Sequence, residues 1–346
     1  MTLLEQRYRF VLRMLPASYR AEREEEMVDA FLDGAERIRD EDNARPSWRE
    51  IASVAALAIR VRAGGLGAAP RYREMGDAVR LVALLGLGYH AVLGWYGVAA
   101  TLVSTGVVGD LDPEYVITDP ARLAWELAST AAGLVAVAAF ATLALGRVRA
   151  ARILTWLSLL HVVVMTGLGL LQVTRVGLFM WERTIIEQAL YLLAMAAPGV
   201  ALLIGYHEDA PVRRSPLLAV LPLGLTALYL TVNAVTLQRL TSYTGDGPTW
   251  VAAWTDLYGL SAIAVGVAGV HCLVRRASPA WGLALAAVAM LLGLMRAPLL
   301  PLDAESIATQ PLGTTMIAQF AALLLLAAAL AVVSVRSLPR AARASS

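Results

Sequence analysis

The chain has 346 residues, of which 58% are hydrophobic and 16% charged, with a mean hydropathy of +0.62 and a single cysteine. Soluble domains average about 45–50% apolar and about 25% charged residues, so disorder, a disulfide scaffold and a nucleic-acid binder with a large basic face are excluded. The formal net charge is only +2, and all 29 basic residues are arginine.

Residues 1–63 differ from the rest. The first 50 carry nine arginines and twelve acids in a helical rhythm. A helix is expected over about 2–15, with Leu4, Tyr8, Val11, Leu12 and Leu15 on one face. Pro16 ends it, and Ser18 can cap a second helix over about 19–40, striped by Met27, Phe31, Ala35 and Ile38. Glu22, Glu24, Glu25 and Glu26 suit the positive end of its dipole. Ser47 with Glu50 forms a capping-box pattern that opens a third helix through about Val61. Three short amphipathic helices make a core that is marginal alone by size, so packing on the remainder or on a partner is expected. Residues 1–13 already contain Glu5, Arg7, Arg9 and Arg13, which is unlike a cleavable signal peptide.

The run from Arg7 to Asp33 resembles the HAAS-type, or permease-prefix, helical domain found at the N-terminus of bacterial, especially actinobacterial, membrane proteins. The matching features are the Leu12–Pro16 helix end, Tyr19-Arg20, the Glu24–Glu26 cluster with Met27, and Phe31-Leu32-Asp33. The resemblance covers about the first 60 residues and says much less about the apolar remainder of the chain. It implies a partner: such modules are often encoded beside PadR-type transcriptional regulators, and in some relatives they precede an ABC-exporter permease. The long extracytoplasmic domain of those permeases has no counterpart here. A regulatory-type module on an integral membrane protein is therefore the expected class. The absence of lysine independently agrees with a high-GC coding bias.

Gly64-Gly65-Leu66-Gly67-Ala68-Ala69-Pro70 reads as a flexible hinge within a basic, Gly-rich linker over 64–77. It is flanked by Arg60, Arg62, Arg71 and Arg73, which either attract anionic lipid or fix topology. Beyond it lie eight stretches long enough to span a bilayer, near 79–103, 123–145, 153–173, 185–205, 216–237, 253–274, 280–300 and 312–335. Each approaches the 20 or so apolar residues a transmembrane helix needs. An all-α polytopic membrane protein is expected, with eight spans as four hairpins over 78–336 and a tail over 337–346. Small-residue stripes (Ala128, Ala132 and Ala136; Ala262 and Gly266) are candidate helix contacts. The single Cys272 lies in the sixth span, so no disulfide forms within the chain.

Arginine distribution predicts orientation. With a cytoplasmic N-terminus, fifteen membrane-flanking arginines lie inside and five outside: Arg122, Arg175, Arg183, Arg239 and Arg296. The positive-inside rule then places both termini in the cytoplasm; the resemblance implies that the membrane is a bacterial plasma membrane, crossed by a multi-pass chain.

The later hairpins begin near 153, 217 and 281, a 64-residue spacing that suggests a repeat. The third, fifth and seventh spans end in Arg175, Arg239 and Arg296. The second, fourth and sixth carry Glu126, Glu187 and Asp256 about one turn in, and the eighth has Gln319 there. Ionisable groups in lipid face a partner or a cavity. One arrangement is an outward-facing polar pocket of Glu126, Arg175, Glu187, Asn233, Asp256 and Arg296, with Gln172 and Gln188 nearby. The other is a set of interfacial groups that snorkel to water and close hairpins through structural ion pairs. Arg296, flanked by Met295 and an apolar run through Leu300, is hardest to place in water and is the leading functional candidate.

His90 and His161 fall at similar mid-membrane depth and are candidate haem ligands or proton-relay groups; buried, hydrogen-bonded structural histidines are the alternative. Neither a metal site nor a bound cofactor is expected from the rest. No Walker loop and no Gly-x-Ser-x-Gly turn occur, and His207-Glu208 continues without the second histidine of a metalloprotease. Any driving ATPase would be a separate subunit. Pro198-Gly199 and Pro222 are expected to kink or open their helices. A non-enzymatic sensory or regulatory protein is expected, with a permease or transporter subunit second and an intramembrane enzyme last.

Overall fold

A computed structural model describes residues 3–35, 46–109, 116–176, 181–207, 214–241, 250–275, 277–300 and 311–338. It is 88% helical, with no strand among the described residues. Three helices form the N-terminal module: α1 (Leu3–Leu12), α2 (Ala17–Ala35) and α3 (Trp48–Arg62). Their apolar faces meet in a core of Tyr8, Leu12, Leu15, Val28, Val54 and Ala58. Tyr8 stacks on Phe31 with ring centroids 3.9 Å apart. Across the polar side Arg9 bridges Glu5 and Glu25, at 3.1 and 2.7 Å. The Ser47–Glu50 capping box is formed in both directions at the start of α3, as its spacing requires.

The remainder is α4 (Pro70–Ser104), α5 (Pro120–Ala144), α6 (Val148–Val176), α7 (Trp181–Gly205), α8 (Pro216–Thr241), α9 (Trp250–Thr255), α10 (Leu257–Arg275), α11 (Pro279–Arg296) and α12 (Pro311–Ser337). Eight of the described helices are long and apolar enough to cross a membrane; the chain is a multi-pass membrane protein. Apolar side chains such as Leu217, Val267, Val274 and Leu325 are exposed on its flanks, as a lipid-facing surface requires. The most enclosed span is α11, followed equally by α4 and α7; α4 and α11 pack against each other while α5, α7 and α8 surround α4 and α10 and α12 flank α11.

Three of the expected hairpins pack as such: α4 on α5, α6 on α7, and α11 on α12. The third does not. Helix α8 lies mainly on α4 and α5 and meets the short α9, whereas α10 lies on α11 and α12. The crossing of α4 and α5 also differs from the expected alanine stripe. A side chain at Gly94 would run into the backbone carbonyl of Gly133, so α4 and α5 meet backbone to backbone there. Of the stripe, only Ala136 is buried. At Gly266 a Cβ would meet nothing within 4 Å, so the second stripe is not a contact at that residue.

Proline does not open the bundle. Helix α7 continues through Pro198, whose fully buried ring packs into the space left by Gly86. Helix α8 continues through Pro222, whose carbonyl accepts a hydrogen bond from Thr226 Oγ1 at 2.8 Å. The interruption falls instead at Asp256, between α9 and α10. The hinge is likewise a packed joint. Gly64 and Gly67 have φ of 80° and 76°, conformations that disfavour a side chain. Ala63 and Ala68 are buried, Arg73 Nε donates to the Ala68 carbonyl at 3.0 Å, and a Cβ at Gly76 would strike the Ala63 carbonyl. From Pro70 onward the linker is helix, continuous with the first span.

Candidate functional site

The sixth span breaks where Thr255-Asp256 meets Leu257. A short polar residue before an apolar run competes with the helix for its own backbone hydrogen bonds, which favours a helix start. Asp256 caps α10 in this way, its Oδ1 accepting from Gly259 N at 2.6 Å. Only glycine fits at 259, because a Cβ would strike the Ala253 carbonyl and lie 2.7 Å from Trp254 Cα. The break releases carbonyls that a continuous helix would have used. In lipid such groups must be satisfied internally.

Three side chains from three other helices do this. Arg296 Nη2, at the end of α11, and Gln319 Nε2, on α12, donate to the Ala253 carbonyl at 3.2 and 2.7 Å. Asn233 Nδ2, on α8, donates to the Thr255 carbonyl at 3.0 Å. Arg296 also donates through Nη2 to Gln319 Oε1 at 2.8 Å, and through Nη1 it pairs with Asp256 Oδ2. Its guanidinium carbon lies 5.8 Å from the centre of the Tyr258 ring, within cation–π range. Both charges complement helix ends: the carboxylate sits at the N-terminus of α10 and the guanidinium at the C-terminus of α11.

Burial decides between the two arrangements open from the sequence as far as Arg296 is concerned. The Arg296 side chain is 1% exposed and does not snorkel; that of its partner Asp256 is 34% exposed. Exposure of the pair is thus confined to Asp256. Helix α10 has 19 residues, about 28 Å at 1.5 Å per residue, which nearly equals the hydrocarbon thickness. The break therefore sits towards the end of the bundle opposite Arg275. Beneath it, Tyr89 of α4 and Tyr258 of α10 pack on Ala194, Met195 and Met295. The Tyr89 hydroxyl and Arg296 Nε are buried without a hydrogen-bond partner among the described residues.

Of the sequence candidates, Asn233, Asp256 and Arg296 meet at this break, joined by Gln319. Glu126 does not: it lies half-buried within the uninterrupted α5, with no ion pair among the described residues. Trp125-Glu126-Leu127 and Trp254-Thr255-Asp256-Leu257 are locally alike in sequence, but only the latter is broken. Glu187 lies half-buried on α7. The side chains of Arg175, Gln172, Arg183 and Arg239 lie outside the described residues. His90 is on α4 and His161 on α6, helices that both pack against α5 and α7. Among these four helices the interior is filled by Leu87, Phe140, Leu143 and Leu202, and neither histidine belongs to a group of three ligating side chains among the described residues. Sequence reasoning missed Tyr89, Tyr258 and Gly259. The cap-like Thr255-Asp256 with Gly259 was the available signal for the break.

Compared with protein-family models, with curated proteins and with solved structures, the chain matches none.

Proposed function

We propose that this membrane protein is sensory or regulatory: a change at the Arg296–Asp256 break is passed along α4 to the N-terminal module and read there by a cytoplasmic partner. The observation that carries the reading is the joint between module and membrane. Helix α4 is a single helix of 35 residues, about 52 Å long, that contributes Tyr89 beneath the break and Gly76 beneath the end of α3. Helix α3 also touches α7. A rigid element shared by two sites is the physical link such coupling needs. The proposed partner is a PadR-type regulator, on the resemblance of residues 7–33 to a HAAS-type module. Arginine placement supports cytoplasmic termini in a bacterial plasma membrane.

The test compares transcript profiles of host cells that lack the gene with those expressing the chain without residues 3–62. Matching profiles are the expected result; a truncated chain that restores the wild-type profile overturns the reading. One observation favours a second reading, a permease or a transporter's membrane subunit with a separate ATPase: a helix broken at an acid resembles the discontinuous helices that line transport sites. Solute or proton flux in proteoliposomes that disappears in Asp256→Asn would select it.

A further inference from the structure

The flank of α10 carries a groove that runs from Trp254 and Gln319, beside the break, to the opposite end of the helix at Arg275. It is a cavity of about 670 Å³ between α10 and α12, walled by apolar residues including Ala262, Ile263, Val267 and Leu326. At one end stand His271 and Arg275, both exposed. Arg275 makes no ion pair or hydrogen bond among the described residues. Two buried or half-buried arginines of that end are, by contrast, engaged: Arg80 donates to Asp77 and the Gly205 carbonyl, at 2.5 and 3.3 Å, and Arg152 donates to the Tyr206 carbonyl. This is also the module's end of the bundle, because Ala280 N, just after α10, donates to Glu74 Oε2 at the start of α4. Midway along the groove is Gly266, where an added Cβ meets open space.

We propose that this groove binds one anionic phospholipid of the leaflet nearest the module, its phosphate on Arg275 and His271 and one acyl chain along α10 past Gly266. Two features select that occupant. The free guanidinium complements a phosphate, and a basic residue near the surface attracts anionic lipid by about 1 kcal/mol, or about fivefold in affinity. The nine residues from Arg275 to Gly266 span about 14 Å, which is the depth of one leaflet's hydrocarbon. The site does not depend on the sensory reading, and each can fail alone.

Native mass spectrometry of the full chain, released from micelles holding equal phosphatidylglycerol and phosphatidylcholine, tests the proposal. The wild type should retain one phosphatidylglycerol in preference to phosphatidylcholine. Arg275→Gln should lose that preference by about fivefold, while Arg275→Lys keeps most of it. Gly266→Leu, whose Cβ meets nothing within 4 Å and whose side chain enters the groove, should lose the bound lipid altogether. Circular dichroism checks that each variant folds. Equal retention of the two lipids by the wild type, an unchanged preference in Arg275→Gln, or full retention in Gly266→Leu overturns the proposal. A groove covered instead by a second copy would give a dimer mass free of lipid, which also overturns it.

Discussion

The charge pair at the helix break makes a prediction about coupling rather than about a single loss. Asp256→Asn removes the counter-charge of Arg296 but keeps the cap of α10, because asparagine caps helices as well as aspartate. It leaves a guanidinium that is 1% exposed without an opposing charge. Breaking a buried pair this way costs about 3–5 kcal/mol, or at least about a hundredfold in the folded-to-unfolded ratio. In an Arg296→Met background the same change meets a different situation. The carboxylate, 34% exposed even when paired, is then free to hydrate, so neutralising it should cost less than about 1 kcal/mol. The double-mutant cycle should therefore return a coupling of at least about 2 kcal/mol. The assay is reversible unfolding of the four chains in mixed micelles of increasing dodecyl sulfate, followed by tryptophan fluorescence and circular dichroism. Additive effects within about 0.5 kcal/mol, the limit expected of independent sites, would refute the coupling.

Three further outcomes are expected. Gly259→Ala should lose about 3 kcal/mol or more in the same assay, because its Cβ meets the backbone of Ala253 and Trp254, which cannot yield as a side chain would. Gly266→Ala, by contrast, should be neutral or stabilise by up to about 1 kcal/mol, since the space is open and alanine is the better helix former. Equal losses at the two glycines would contradict the geometry of the break. In the module, the hydrogen bond from Arg9 holds the Glu25 carboxyl below the ordinary glutamate value of 4.5. A depressed folded-state value means the stabilisation is complete above that ordinary value and is lost as pH falls through the lower one. Hydrogen exchange in α1 and α2 of the full chain should rise below about pH 4.5 more steeply than in Glu25→Gln; identical profiles would refute the assignment.

The spans were legible because their signal is local. A run of about 20 apolar residues is helical in lipid whatever its neighbours do, since the backbone has no other partner there. The capping box at Ser47 was legible for the same reason. What sequence misjudged was where a helix stops being regular. Pro198 and Pro222 carry the usual marks of a break, yet both helices continue, with Gly86 receiving the ring of one and Thr226 Oγ1 donating to the carbonyl of the other. Asp256 carries a weaker mark and is the break, because Arg296, Gln319 and Asn233 arrive from three separate helices to satisfy the carbonyls it releases.

The opposite ends of one physical scale separate what the sequence determined from what only tertiary structure decided. Composition and arginine placement determine an all-helical membrane chain with a mixed-charge N-terminal module, since transfer from water to lipid acts on each segment by itself. The role of each polar group is decided by partners distant in sequence. Arg296 and Asp256 are 40 residues apart, and Arg296 and Gln319 are 23; no periodicity states that they meet. A repeat pattern grouped Glu126 with Asp256, but packing separates them, leaving one inside an intact helix and the other holding a buried arginine at a broken one. The net charge of +2 is a sum over groups whose energies depend on burial, and burial belongs to the assembled bundle.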